Sequence, residues 1–414
     1  MIDDFKPARG KRPELTRGSK SMPTVVADVS EKTFKTPEEV ASKEAFIPPK
    51  ETHLDTPKPR NWPKLNIHLT RKQWIIVAAV TLLVLATTGY FGWKLFHKTP
   101  APVSQAPVVE QPAPVVAPTT IASPLTGVMI TPELAQTPVT AIMIENSPDA
   151  RPQSGLNQAG VVYEAVAEGG ITRFLTLFQE AQPDYIGPVR SVRPYYLDWA
   201  IPFDAPIAHV GGSAEALNQI RSEGIKDLDQ SFNSRAYNRV SSRFAPHNMY
   251  TSRGALLDLQ KAKGFTSSSF TGFPRKDEKA SAAPTARSLD FSISSFLYNP
   301  HFDYDAGTNS YKRTMAGKPH IDEKSGQQIS PKVVIAIVVD KKIHPNGVNT
   351  QYGTHGSGKA FIFQDGTVVE GIWEKTDRKS QIRFGDANGA PLALNRGNTW
   401  ISVVGVPGSV SFKP

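Results

Sequence analysis

The chain of 414 residues contains no cysteine. That absence removes disulfides, thiolate nucleophiles, thiolate metal ligands and a lipidated cysteine anchor. Charge is missing from Trp74 to Trp93, WIIVAAVTLLVLATTGYFGW, a run of 20 residues. At about 1.5 Å rise per residue such a run crosses a hydrocarbon core of about 30 Å. It predicts a transmembrane helix within 73–96, and because so much chain precedes it, not a cleavable signal peptide. Lysine is scarce between Arg151 and Arg253, where nine arginines accompany one lysine. Arginine is favoured over lysine where a planar, permanently charged fork must hold a carboxylate or phosphate.

The charges that are present orient the chain. Residues 1–72 hold 15 Lys and Arg against 10 Asp and Glu, with Lys64, Arg71 and Lys72 nearest the apolar run. The positive-inside rule therefore predicts a cytoplasmic N-terminus and residues beyond 94 outside the cytoplasm. Of the net charge, residues 1–98 carry 17 basic against 10 acidic groups and residues 99–414 carry 30 against 28. A nucleic-acid protein concentrates charge on its folded domain, so that class is excluded. The polar composition of 1–72 predicts a disordered basic tail. Residues 97–123, rich in Pro, Ala and Val, predict an extended stalk.

Beyond the stalk the pattern predicts an α+β ectodomain in two parts behind the one transmembrane helix. Residues 124–265 form the first, mixed part: a strand at Val139–Glu145, a hairpin of Val161–Glu168 and Ile171–Gln179 turning at Gly169-Gly170, and helices opening at Pro194, Ala214 and Arg253. Residues 266–288 read as a linker or long loop. Residues 289–412 are β-rich, with Asn346-Gly347, Asp365-Gly366 and Asn388-Gly389 as turn signals.

Candidate site residues follow from this layout. Pairing Glu168 with Ile171 sets Val166 opposite Arg173 and Glu164 opposite Leu175, which predicts a Glu164, Arg173, Glu168 cluster on one hairpin face. The segment Ile186–Trp199, IGPVRSVRPYYLDW, places Arg190 and Arg193 before a helix N-terminus, where free N–H groups favour anions. With Arg151 and Tyr195 these arginines either capture an anionic ligand or satisfy internal ion pairs. His209 precedes Gly211, Gly212 and Ser213, a strand-to-helix turn that could cradle a phosphate or be a tight turn alone. The ectodomain histidines lack metal-ligand spacing, and neither a serine nucleophile elbow nor a cofactor motif occurs. A hydrolase would use Glu145, Glu164 or Glu168, with His209 nearby. Glu164 and Glu168 on one strand, however, stand roughly 13 Å apart, beyond the roughly 5 to 9.5 Å of paired catalytic carboxyls. The residues therefore point first to a binding or scaffold module for an anionic envelope glycan, peptide or protein, and second to a hydrolase of envelope polymers.

Several stretches together resemble the YerB-like family of bacterial envelope proteins: IENSPDARPQSGLNQAGVVYEAVAEGGITRF (144–174), IGPVRSVRPYY (186–196), HVGGSAEAL (209–217), FDYDAGTNSYKRTMAGKPHID (302–322) and GSGKAFIFQDGTVVEGIW (356–373). The resemblance spans most of residues 125–410 and implies a two-part α+β domain outside the cytoplasm. It supplies no catalytic residues. Family members are usually described as lipoproteins, whereas this chain has no cysteine and carries an apolar helix instead.

Overall fold

The structure, a computed structural model, describes residues 70–97 and 119–414. The basic tail and most of the stalk expected from the sequence lie outside the described residues. The chain divides into two units, 1–109 and 110–414.

In the first unit, helix α1 (Arg71–Phe96) is 26 residues long and apolar enough to cross a membrane. None of its side chains is buried. Thr70 opens it with a capping box, its backbone N–H donating to Gln73 Oε1 at 3.0 Å. That bond satisfies a donor the helix itself leaves free.

The second unit is built on a mixed nine-stranded sheet. The first half of the chain contributes β1 (Thr140–Glu145), β2 (Val161–Glu168), β3 (Ile171–Phe178) and β4 (Ile207–Ala208). The second half contributes β5 (Val333–Val338), β6 (Gly356–Gln364), β7 (Thr367–Lys375), β8 (Arg383–Gly385) and β9 (Thr399–Val404). Across the sheet the order is β8-β7-β6-β5-β9-β2-β3-β1-β4. The halves meet where β9 lies parallel to β2, with Trp400 beside Val162 and Ile401 beside Tyr163. One sheet therefore spans both halves.

Both faces of this sheet are covered, so its central strands are apolar on both sides. On one face lie helices α2 (Pro194–Ala200) and α3 (Ala214–Glu223), packing Tyr195, Tyr196, Trp199, Ala216 and Ile220 against Tyr163, Leu175, Ile335 and Ile401. The other face is covered in part by α4 (Arg253–Ala262), through Leu256, and by a five-stranded sheet. That sheet comprises Ser288–Phe291, Pro300–Asp305, Ser310–Met315, Lys318–Pro319 and Val410–Lys413 and supplies Leu289, Phe291, Phe302 and Tyr311. Helix starts follow the sequence expectation. Pro194 opens α2, and Ser213 and Ser252 cap α3 and α4 by accepting from Ala216 N and Ala255 N.

Two expectations are corrected. The hairpin pairs Glu168 with Ile171, but a bulge between Val166 and Glu168 shifts the rest, placing Val166 opposite Thr172, Ala165 opposite Arg173 and Glu164 opposite Phe174. One extra residue exchanges the faces, because side chains alternate with period two. Val161, Tyr163 and Ala165 thus share a core with Leu175 and Leu177, while Val162 and Val166 share the other with Phe174 and Phe178. Residues 266–288 are more than an exposed linker. Phe270 and Phe273 pack into the first core, and Arg275-Lys276 pair in parallel with Leu394-Asn395.

Candidate functional site

The face exchange separates the expected Glu164, Arg173, Glu168 cluster. Arg173, about 2% exposed, does bind Glu168, with Nη2 to Oε1 at 2.6 Å, and Arg193 binds the other oxygen of Glu168 at 2.6 Å. Nη1 of Arg173 and of Arg193 donates to the carbonyls of Ser191 and Val192 respectively, while Nε of each is buried without a partner. Burial alone would raise the pKa of Glu168, but the two guanidiniums outweigh it and hold the carboxyl below its ordinary value. Burial, reinforced by Arg173, lowers the pKa of Arg193.

Glu164 points to the opposite face. There it is fully buried and meets Arg313 of the second half through both oxygens, each at 2.9 Å. Trp400 Nε1 donates to the same carboxylate at 3.0 Å, and the Arg313 guanidinium lies 4.6 Å from the Trp400 ring centre. His320 accepts from Arg313 on one ring nitrogen and donates to Gln153 Oε1 at 2.8 Å from the other. This network ties the halves together and pairs the buried charges, as burial requires, leaving only Arg313 Nε without a partner.

Glu145 is buried at the end of β1. It forms an ion pair with Arg190, Nε standing 3.2 Å away without hydrogen-bond geometry, accepts from Ser147 Oγ at 3.0 Å and contacts His247 Nδ1 at 3.0 Å. Arg151 donates to Asn146 Oδ1 and to the carbonyls of Asn146 and Leu297, with its guanidinium over the Tyr298 ring. The expected carboxylates Glu145, Glu164 and Glu168 are thus each paired to arginine, and the expected arginines do not converge on one opening.

The glycine turn also has an internal explanation. His209, fully buried, contacts Gly211 O at 2.8 Å and Asp227 Oδ1 at 3.0 Å through its two nitrogens. Gly211 N–H is taken by Asp229 Oδ1, and a Cβ on Gly212 would come within 2.8 Å of Val192 Cγ1. Close strand-to-helix packing accounts for Gly212, and a left-handed backbone at φ 61° accounts for Gly211.

Three of the expected residues do reach a common opening. Arg193, Tyr195 and Ser213 line a cleft of about 490 Å³. Its first wall is the start of α2 and one side of α3, with Asp198, Glu215, Gln219 and Glu223. Its second wall comes from the other half: Lys342, His344, Thr354, His355 and Arg378, around the hairpin of Lys341–Ile343 and Thr350–Tyr352. Arg378 spans the cleft, binding Asp198 at 2.5 Å and Glu223 at 2.7 Å. Its loop is held from beneath by Lys375, whose buried ammonium donates to the carbonyls of Asp377, Arg378 and Ser380 at 2.6 to 2.8 Å. Burial lowers the Lys375 pKa to about 8.

Sequence reasoning missed the second wall. Lys342, His344 and Arg378 sit in charged loop runs, KKIH and TDRKS. Such runs normally mark solvated turns, and only the sheet topology places them against α2 and α3.

The same architecture recurs among known proteins. Residues 125–266 match the N-terminal domain, and residues 289–401 the C-terminal domain, of the protein of unknown function DUF3048. The putative lipoprotein YerB of Bacillus subtilis is 29% identical over 288 residues, covering 68% of this chain and 86% of that protein. The crystal structure of Bacillus subtilis YerB superposes with a TM-score of 0.65 at 27% identity, covering 71% of this chain and all of that one. Both halves are matched in one arrangement, and the chain belongs to the YerB-like family of DUF3048 proteins.

Proposed function

We propose that this chain is a membrane-tethered binding module of the cell envelope, and that the cleft between α2, α3 and the Lys341–Tyr352 hairpin is its ligand site. α1 is then a single-pass anchor with the N-terminus in the cytoplasm, by the charge asymmetry around it. The description of YerB as a putative lipoprotein supports an envelope location reached there by a different attachment.

The observation that carries the reading is the convergence of both halves on one polar opening. The cleft sets Arg193, Lys342 and Arg378 against Asp198, Glu215, Glu223 and Asp340. With four acids against three permanent bases, and with Arg193 and Arg378 committed to carboxylates, this lining does not favour a purely anionic ligand. It suits one that carries both ammonium and carboxylate groups, the chemistry of an envelope stem peptide. Hydrolysis is disfavoured because Arg173 and Arg193 hold Glu168 in its ionised form, which hinders a general acid, while Glu164 is fully buried against Arg313 and Glu145 is buried against Arg190.

The test uses the full-length chain in nanodiscs, titrated calorimetrically with soluble peptidoglycan fragments that keep or lack the stem peptide. Binding of the peptide-bearing fragments, weakened at least tenfold by R378A and without cleavage products, is expected. Equal binding of peptide-free glycan, or no binding at all, overturns the reading.

A further inference from the structure

Away from the cleft, the short parallel pair of Arg275-Lys276 with Leu394-Asn395 brings a lysine beside an asparagine. Lys276 and Asn395 are register partners, so their side chains leave the same face. Lys276 Nζ donates to Asn395 Oδ1 at 2.5 Å and to Asp365 Oδ2 at 2.6 Å. Asn395 Nδ2 in turn donates to Asp365 Oδ1 at 2.7 Å. The amide orientation is fixed by its partners, since the reverse would set its NH2 against an ammonium and its oxygen against a carboxylate. Asn395 is fully buried and the Asp365 side chain nearly so, at 12% exposure.

We propose that these three residues form an intramolecular isopeptide bond, with Lys276 as the nucleophile, the Asn395 side-chain amide as the electrophile and Asp365 as the proton carrier between them. Asn395 Cγ is bonded to Oδ1 at about 1.23 Å. The amine therefore stands no more than about 3.7 Å from the carbon it attacks, close to the near-attack range of about 3 to 3.5 Å. Asp365 touches both nitrogens whose protons must change, and so can act as base and then as acid.

The step balances without a co-reactant. Lys276 passes one proton to Asp365, and the free amine forms a new bond to Asn395 Cγ. The Cγ–Nδ2 bond breaks as Asp365 returns the proton to the departing nitrogen. The second proton lost by Nζ leaves with the ammonia as ammonium, and Asp365 ends ionised as it began.

An Asp-Gly turn explains part of the arrangement. Asp365 and Gly366 both have positive φ, 56° and 74°, and close the hairpin between β6 and β7, as this dipeptide does readily. The turn does not explain why the carboxylate also collects Lys276, Asn395, Asn309 and the Lys279 N–H. A bond between 276 and 395 would enclose most of the second half of the chain in one covalent loop. In a chain without cysteine, that is a cross-link of the kind a disulfide supplies elsewhere.

Intact mass spectrometry of the full-length protein tests this directly. The wild type is expected below its sequence mass by one ammonia, and the proteolytic peptide carrying Lys276 is expected joined to the one carrying Asn395. K276R keeps the positive charge but lacks the amine, and is expected at its full sequence mass, as is D365N. A wild type at full sequence mass after prolonged incubation in the folded state overturns the proposal. So does loss of water with Lys276 joined to Asp365, or an ammonia loss that persists in K276R, which would mark a succinimide at Asn395.

Discussion

At the scale of single residues, the deepest charges join the two halves. Arg313 and Glu164 are fully buried and pair with each other, with Trp400 as a third partner. Desolvation makes such a pair a poor source of net stability, yet removing one partner strands the other at a cost of about 3–5 kcal/mol. The neutral His320 beside them makes stability depend on pH. Burial first, and then Arg313 and Arg151, push its pKa well below the ordinary value. In the unfolded chain it titrates near 6.5, so below that pH the unfolded state binds a proton that the folded state refuses. Stability therefore falls as pH drops from about 7 towards 5, by up to about 1.4 kcal/mol per unit from this group. His301 acts the other way. Although burial opposes it, hydrogen bonds that His301 donates to Asp290 and Asp303 raise its pKa, and its contribution is lost as pH rises. Comparing urea unfolding of the wild type and H320Q across that range isolates the His320 slope. An unchanged slope in the variant would contradict the assignment.

At the scale of elements, much was legible where local rules decide. Pro194, Ser213 and Ser252 open the helices at the expected positions because caps and first-turn prolines act within a few residues. The hairpin was legible as a hairpin, but its faces were not. A bulge leaves little trace in a run such as VVYEAVAE, and one extra residue reverses every inward assignment beyond it. The hairpin of Pro300–Asp305 and Ser310–Met315 was also passed over as strands, because its charged alternate residues mask the inward Phe302, Tyr311 and Arg313. The bulge itself has a role. It turns Glu168 to the side of Arg173 and Arg193. Replacing Glu168 by Ala should leave the Arg173 and Arg193 guanidiniums beside each other without their shared carboxylate. The expected cost is roughly 2–3 kcal/mol, less than that of breaking a fully buried pair because Glu168 is partly exposed. Chemical denaturation measures it; a change below about 1 kcal/mol would show that the carboxylate does not hold the two arginines in place.

At the scale of the whole molecule, the family boundaries and the physical boundaries differ. Sequence composition and the matched regions both divide the chain near 267–288, and that division was legible from the shift to Ser, Thr, Pro and Lys. The sheet ignores it. β9, from the end of the chain, lies between β5 of its own half and β2 of the other, so β2 loses its neighbour if the halves are parted. Each of the two cores draws residues from both sides, and each half alone would expose a sheet edge and a large apolar face. The cleft has the same dependence, because its walls come from different halves. Residues 119–266 and 289–414 expressed separately should therefore aggregate or fail to show cooperative unfolding, whereas the two co-expressed should recover a soluble complex. The intact unit should unfold in one transition by both tryptophan fluorescence and far-UV circular dichroism. Two resolved transitions, or a stable isolated half, would mean that the shared sheet is a docking surface between independent domains, and that the cleft is an interface free to open.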